Sequence, residues 1–434
     1  MELVVVAAIA AVLWKVLRRR THPRQPASAV GAVGAVGWCD GTNWAVVPPL
    51  ARADLRAVLR HPAFVAGAVL TPVMLLAATN DAATGPSATW REISSQIALA
   101  LVPFAWLTIV AVNLVALRPR RTGADELLAS LPAPQPVRST SLLATAVGPA
   151  AVAAALAAGW IALTTTRHDV RGAPGWSEIA VGILIVAGGV MVGVAVARWL
   201  PNAVFGVIAA VATAVLQARF LDVTTWPWNR AEGDPLRFLA FIADLTGVDV
   251  PALELRPAGW HLLYLVGLIL VMAGVALARD GLRRPIAGLL AGAVLLVAAG
   301  GWMQTRPPSA TRQAQMVAYL TDPASQQTCE RSAGARYCAY PEFTSAIAGW
   351  RERVETTLGV LPLGADDRRG PLEVTQRPAI IVGNEHCSPT PFAASLPPPV
   401  AERVSPAALW PSDDHVHPGF AEETLPCSGT EVHG

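Results

Sequence analysis

Seven apolar stretches punctuate the chain, near 63–79, 96–117, 141–165, 178–199, 202–220, 258–278 and 285–304. Each has the length and apolar character of a membrane-crossing helix, for which about 17–25 residues suffice. A further apolar stretch, 2–17, ends in KVLRRR. No small-residue cleavage site precedes its arginines, so it reads as an extra helix rather than a signal peptide. Beyond residue 304 the pattern changes. Phe343, Ile347, Trp350, Val354, Leu358 and Leu361 recur at helical spacing, which predicts one amphipathic helix. LEVTQ and AIIVG read as two short strands, and a Pro-rich irregular tail begins at about residue 389.

The pattern predicts a mainly α fold. It is a polytopic helical membrane protein with a small α/β, disulfide-bonded C-terminal domain. Its expected divisions are an N-terminal helix (1–20), a linker (21–47), a six-span core (48–280), a seventh span (281–304) and an outer domain (305–434). Composition agrees. Of 434 residues 53% are hydrophobic and only 15% charged, where a soluble domain carries about 25% charged residues.

Charge then orients the spans. With the segment after residue 17 on the cytoplasmic side, cytoplasmic segments collect 16 basic residues, from Lys15 to Arg284, and the outer loops before residue 305 collect seven. That bias is the positive-inside pattern, and it places residues 305–434 outside the cell membrane. Four of the five cysteines, Cys329, Cys338, Cys387 and Cys427, fall in that outer segment, where disulfides persist. Three connectivities are open to them. The short separation of the first pair favours Cys329–Cys338 with Cys387–Cys427, and a zinc site is the rival reading, without CxxC spacing to support it. Cys39 is left as a free thiol.

Two cytoplasmic stretches carry more information. In VPPLARADLRAVLRHPAF, Arg52, Arg56 and Arg60 form a basic stripe, with Leu55, Val58 and Leu59 on another face. This predicts an interfacial helix with its arginines toward anionic headgroups, running straight into the first core span. In RPRRTGADELLASLPAPQPVR, Thr122 is suited to N-cap a short helix over 123–131, with Asp125 and Glu126 in its first turn. Pro132, Pro134 and Pro136 stop that helix, and Leu127, Leu128 and Leu131 give it an apolar patch. Such a helix, parallel to the membrane, is shaped to dock a partner; an ordinary capped loop is the plainer alternative. The repeat GAVGAVG, residues 31–37, has neither GxGxxG nor GxxxxGK[ST] spacing and reads as a connector.

Over roughly residues 48–280 the chain resembles the membrane subunits of ABC-2 type exporters, especially actinobacterial permeases. The resemblance rests on RADLRAVLRHPAF as an elbow helix, on six core spans, and on the polar loop RPRRTGADELLASLP after the second of them. It also rests on an insert before the sixth span, 221–257, where Asp234 and Pro235 open the apolar stretch DPLRFLAFIADL. The resemblance implies that Thr122, Asp125, Glu126, Leu127, Leu128 and Leu131 meet an ATPase, and that the subunits pair as a homo- or heterodimer. The extra helix at 2–17 and the seventh span depart from the family pattern.

The chain itself lacks the means to hydrolyse ATP. Lys15 is its only lysine, set in LWKVL rather than a glycine-rich loop. ATP is therefore expected on a partner subunit, with no cofactor or metal and no enzymatic activity here. Ion coupling finds little support, since Glu178, Arg198, Arg219 and His261 sit near span ends and only groups such as Asn113 and Gln217 lie inside. Pro72, Pro103 and Pro149 mark kinks. His386, His415, His417 and Glu385 form no HExxH pattern, and no GxSxG surrounds a serine. The expected function is export of a hydrophobic or amphipathic substrate with a separate ATPase. The alternative is a membrane-anchored extracytoplasmic binding or assembly protein with a non-transporting core.

Overall fold

The computed structural model describes residues 44–82, 89–123, 135–167, 170, 172–221, 239–242, 258–332, 335–359 and 372–375. Several expectations fall outside them: the helix at 2–17, Cys39, the residues Asp125, Glu126, Leu127, Leu128 and Leu131, the Asp234–Pro235 helix start, Cys387 with Cys427, the four candidate metal residues, and the strand AIIVG. Contacts divide the chain into Met1–Ala45 and Val46–Gly434; the fold described is that of the second unit.

Nine helices among the described residues build its larger part: α1 (Val47–Leu59), α2 (Pro62–Ala82), α3 (Trp90–Arg121), α4 (Gln135–Ala144), α5 (Val147–Arg167), α6 (Trp176–Trp199), α7 (Ala203–Leu221), α8 (Ala258–Ala278) and α9 (Arg284–Thr305). Five stretches, Ile93–Arg121, Pro136–Thr166, Trp176–Trp199, Ala258–Ala278 and Arg284–Thr305, are long and apolar enough to cross a membrane. α1 and the start of α2 pass the same test together but are bent by 63°. The fifth expected span, 202–220, is the helix α7, but its apolar part, Ala203–Gln217, is shorter than the others. A mostly helical chain with these apolar elements has the build of a helical membrane protein.

Two prolines set the breaks. Proline lacks an N–H and its ring crowds the carbonyl four residues back. Pro62 therefore cannot continue from Val58, and His61 N–H closes α1 by donating to the Val58 carbonyl at 3.0 Å. His61 then caps α2, its Nδ1 accepting from Ala63 N–H at 3.3 Å. Pro149 acts likewise on Thr145, where the expected span 141–165 is interrupted. Gly148 N–H reaches the Thr145 carbonyl at 3.0 Å, and α4 ends one residue earlier. The kink expected at Pro149 is thus displaced four residues toward the N-terminus, and α4 is an element that the hydropathy pattern did not separate.

α3 and α6 form the centre, and glycines bring them together. A Cβ at Gly189 would sit 2.7 Å from the Ala105 carbonyl oxygen, and one at Gly193 2.8 Å from that of Ile109. This is the close backbone approach that a GxxxG stripe allows. On the other face of α3, Phe64 of α2 meets Phe104 edge-on, with ring centroids 5.0 Å apart. α7 rests on α3 where Gly206 faces the buried Asn113. α8 packs on α6, and α9 packs on α8 through Gly267 and Gly300. α9 is peripheral: 17% of its apolar window is buried, against 67% for α3. Its outward side chains, and those of α2 and α7, include Val69, Val211 and Leu295, all more than half exposed.

After α9 come α10 (Ala310–Thr321), capped by the Ser309 hydroxyl, and a small sheet. β1 (Thr328–Ser332) pairs antiparallel with β2 (Ala335–Ala339), and β3 (Leu372–Thr375) lies parallel to β2. Cys329 and Cys338 face each other across β1 and β2 and form the expected disulfide. The amphipathic helix α11 spans Ala346–Gly359, with Phe343 in the 3-10 turn before it. Phe343, Ile347, Tyr337, Tyr340 and Met316 form its apolar core. Burial raises the pKa of both tyrosines.

Candidate functional site

The arginine-bearing ends of α1, α3, α6 and α8 meet at one end of the bundle, and α4 lies among them. α1 behaves as its pattern predicts. Arg52, Arg56 and Arg60 are exposed, Val58 is buried, and Leu55 and Leu59 are half-buried. Leu55 fills the space left open by Gly148 at the start of α5.

α4 is fastened on two sides by neighbouring serines. The Ser139 hydroxyl donates to Asp280 Oδ2 at 2.5 Å, and the other Asp280 oxygen pairs with the Arg198 guanidinium. That ion pair is enclosed, with side-chain exposures of 4% for Asp280 and 15% for Arg198. On the α1 side the Ser141 hydroxyl lies 3.2 Å from Asp54 Oδ2 and 2.8 Å from the Arg138 carbonyl. Burial raises the pKa of Asp54, and the Ser141 bond opposes that shift. The neighbouring Trp199 donates its indole N–H to the Val275 carbonyl at 2.9 Å, and the Arg279 guanidinium lies 5.6 Å from its ring centroid. α4 is therefore linked to α1 through Ser141 and to α6 and α8 through Ser139.

Thr122 closes α3. Its hydroxyl donates backward to the carbonyls of Arg118, at 3.0 Å, and Pro119, at 3.2 Å, so it finishes α3. Gly123 follows with φ of +69°, a left-handed conformation that glycine adopts freely and that closes a helix. Thr122 and Gly123 thus serve the open carbonyls at the end of α3; beyond Gly123 the expected helix over 123–131 falls outside the described residues. Residues 124–134 lie outside the described residues.

Asp54, Ser139, Ser141 and Asp280 were not singled out by the sequence. The signal was faint: Asp54 stands alone in the arginine stripe of α1, and Asp280 alone in ARDGLRR. Near the far end of the bundle a second polar group surrounds residues 239–242. His261 is buried, its ring nitrogens 3.1 Å from Gln304 Oε1 and 3.0 Å from the Phe241 carbonyl. Gln217 Oε1 accepts from Phe241 N–H at 2.9 Å. The inner Gln217 is thus engaged with backbone through its carbonyl oxygen alone. Exposed Trp176, Trp260 and Trp302 also mark this end.

No family model matches the chain, and neither a curated protein nor a solved structure matches it.

Proposed function

We propose that this chain is the membrane-spanning permease subunit of an ABC-type exporter for a hydrophobic or amphipathic compound. ATP is bound and hydrolysed by a separate subunit, and two permease subunits line the path. The observation that supports the reading is the mounting of α4. The polar segment 124–134 runs between the closed end of α3 at Thr122 and α4, and α4 is tied to α1 by Ser141–Asp54 and to α6 and α8 by Ser139–Asp280–Arg198. A displacement applied to α4 reaches α1 and two central helices through short polar contacts.

In this reading the arginine-rich end faces the cytoplasm, where the positive-inside bias places it, and residues after 305 lie outside. Leu127, Leu128 and Leu131 supply the apolar contact to the ATPase, and Asp125 and Glu126 its polar rim. The test is co-purification of the full chain with a soluble ATPase from the cells that make it. The wild type is expected to retain it, and the Leu127→Asp/Leu128→Asp variant to lose it while keeping its helical content. Retention by that variant removes the coupling role of 122–131. Failure of wild type to bind any ATPase, with no ATP-dependent efflux from vesicles, removes the exporter reading.

A further inference from the structure

Between α1 and the end of α3 lies a cavity of about 700 Å³ whose described lining shares only Thr122 with the proposed coupling segment. Arg56 and Arg60 of α1 border it on one side, Arg118 and Arg121 of α3 on the other, and His61 at the bend. No acidic residue lines it among the described residues. Its floor is apolar, made by Leu114 and Val115 of α3 with Ala53 and Ala57 of α1. Pairs of guanidinium groups three and four residues apart match the oxygens of a phosphate, which arginine binds in a fork geometry. His61 Nδ1 already accepts the Ala63 amide, which leaves Nε2 to carry the ring's donor proton.

A second observation points to a lipid rather than a free anion. Pro62 forms the lip of the cavity, and from it an exposed apolar stripe runs along α2 through Val65, Val69, Val73 and Leu76. Their spacing, three and four residues apart, keeps them on one helix face. A soluble phosphate has no use for such a track, whereas an acyl chain lies along it. We infer that this cavity binds an anionic phospholipid carrying two phosphates, one on each arginine pair, with an acyl chain laid along α2. The bound lipid bridges the elbow to α3 across the bend at Arg60 and His61, and so sets the angle at which α1 meets the bundle. The inference does not depend on an ATPase partner.

The test uses the full chain in phosphatidylcholine nanodiscs, titrated with diphosphatidylglycerol and read by native mass spectrometry after release from the disc. One diphosphatidylglycerol is expected to remain bound. Arg56→Gln/Arg118→Gln is expected to weaken it about tenfold or more, since each substitution removes a charge-assisted contact. Arg52→Gln, on the same helix but outside the cavity, is expected to bind as wild type does. Should the double variant not fold, judged by helical circular dichroism and elution, Arg60→Gln and Arg121→Gln singly give the same reading. Equal binding by variant and wild type overturns the inference, as does equal retention of phosphatidylcholine. Complete displacement by millimolar pyrophosphate also overturns it, because the ligand is then a soluble phosphate. A partner protein's acidic surface is indicated instead if the variants lose the ATPase while retaining the lipid.

Discussion

Replacing Asp280 by alanine removes the acceptor that joins α4, α6 and α8. Asp280 is 4% exposed and Arg198 15%, so the substitution leaves a largely enclosed guanidinium without its counter-charge. Breaking a buried pair from one side costs about 3–5 kcal/mol, and the residual exposure of Arg198 puts this case near the lower figure, about 3 kcal/mol. Ser139→Ala removes a buried hydroxyl that donates to the same carboxylate. A hydrogen bond to a charged group contributes about 1.5–3 kcal/mol. Because both substitutions act on one carboxylate, their effects are not independent. The double variant is expected to cost less than the sum of the singles by about 0.5–3 kcal/mol. The measurement is the unfolding midpoint in a denaturing-detergent titration followed by circular dichroism. A loss under about 1 kcal/mol for Asp280→Ala sinks the argument, and full additivity of the two substitutions does so independently.

Other substitutions probe separate contacts. Gly193→Val drives a side chain into the Ile109 carbonyl, 2.8 Å from its Cβ, and should cost about 1–3 kcal/mol in the same titration. Gly292→Ala, with no atom within 4 Å on α9, should instead gain up to about 1 kcal/mol. Because the folded-state pKa of Asp54 is raised, its contribution to stability is present below the ordinary carboxylate value and lost as pH rises through the folded value. Asp54→Asn should therefore stabilise the protein near pH 7 and leave it unchanged near pH 3; a loss at neutral pH contradicts the assigned burial. Opening Cys329–Cys338, nine residues apart, by Cys329→Ser/Cys338→Ser should destabilise the sheet by roughly 2–3 kcal/mol. Faster protease cleavage after residue 305 would register it, and unchanged cleavage would show the sheet stands without the bond.

The helix positions were legible because an apolar helix satisfies its own backbone, so a run of apolar residues suffices to place it. Each of the seven expected stretches lies inside one helix to within a residue, or runs across α4 and α5 at 141–165. The helix α1 was legible as well, since its arginine stripe recurs within a few turns of chain; the 63° bend at Pro62 was not among the expectations. The hydroxyl of Thr122 had two sets of backbone groups within reach, and local sequence does not rank them; the structure shows it on the carbonyls that end α3. α4 was hidden because its residues QPVRSTSLLA are on average much less apolar than those of α5, and they are held as a helix beside α1, α6 and α8.

The sequence by itself determined which segments are apolar helices, where the basic residues cluster, and that Cys329 and Cys338 are near neighbours. All of these depend on interactions within about a turn or a hairpin of chain. Only the tertiary structure decided that Ser139 meets Asp280 across 141 residues and that Asp280 meets Arg198 across 82. It alone placed Gly189 and Gly193 against α3, and two arginine pairs from different helices around one cavity. A GxxxG stripe or an arginine pair states that a close approach or a phosphate is possible. Which helix, or which second pair, completes it depends on how the bundle packs, and packing is settled by all the helices together.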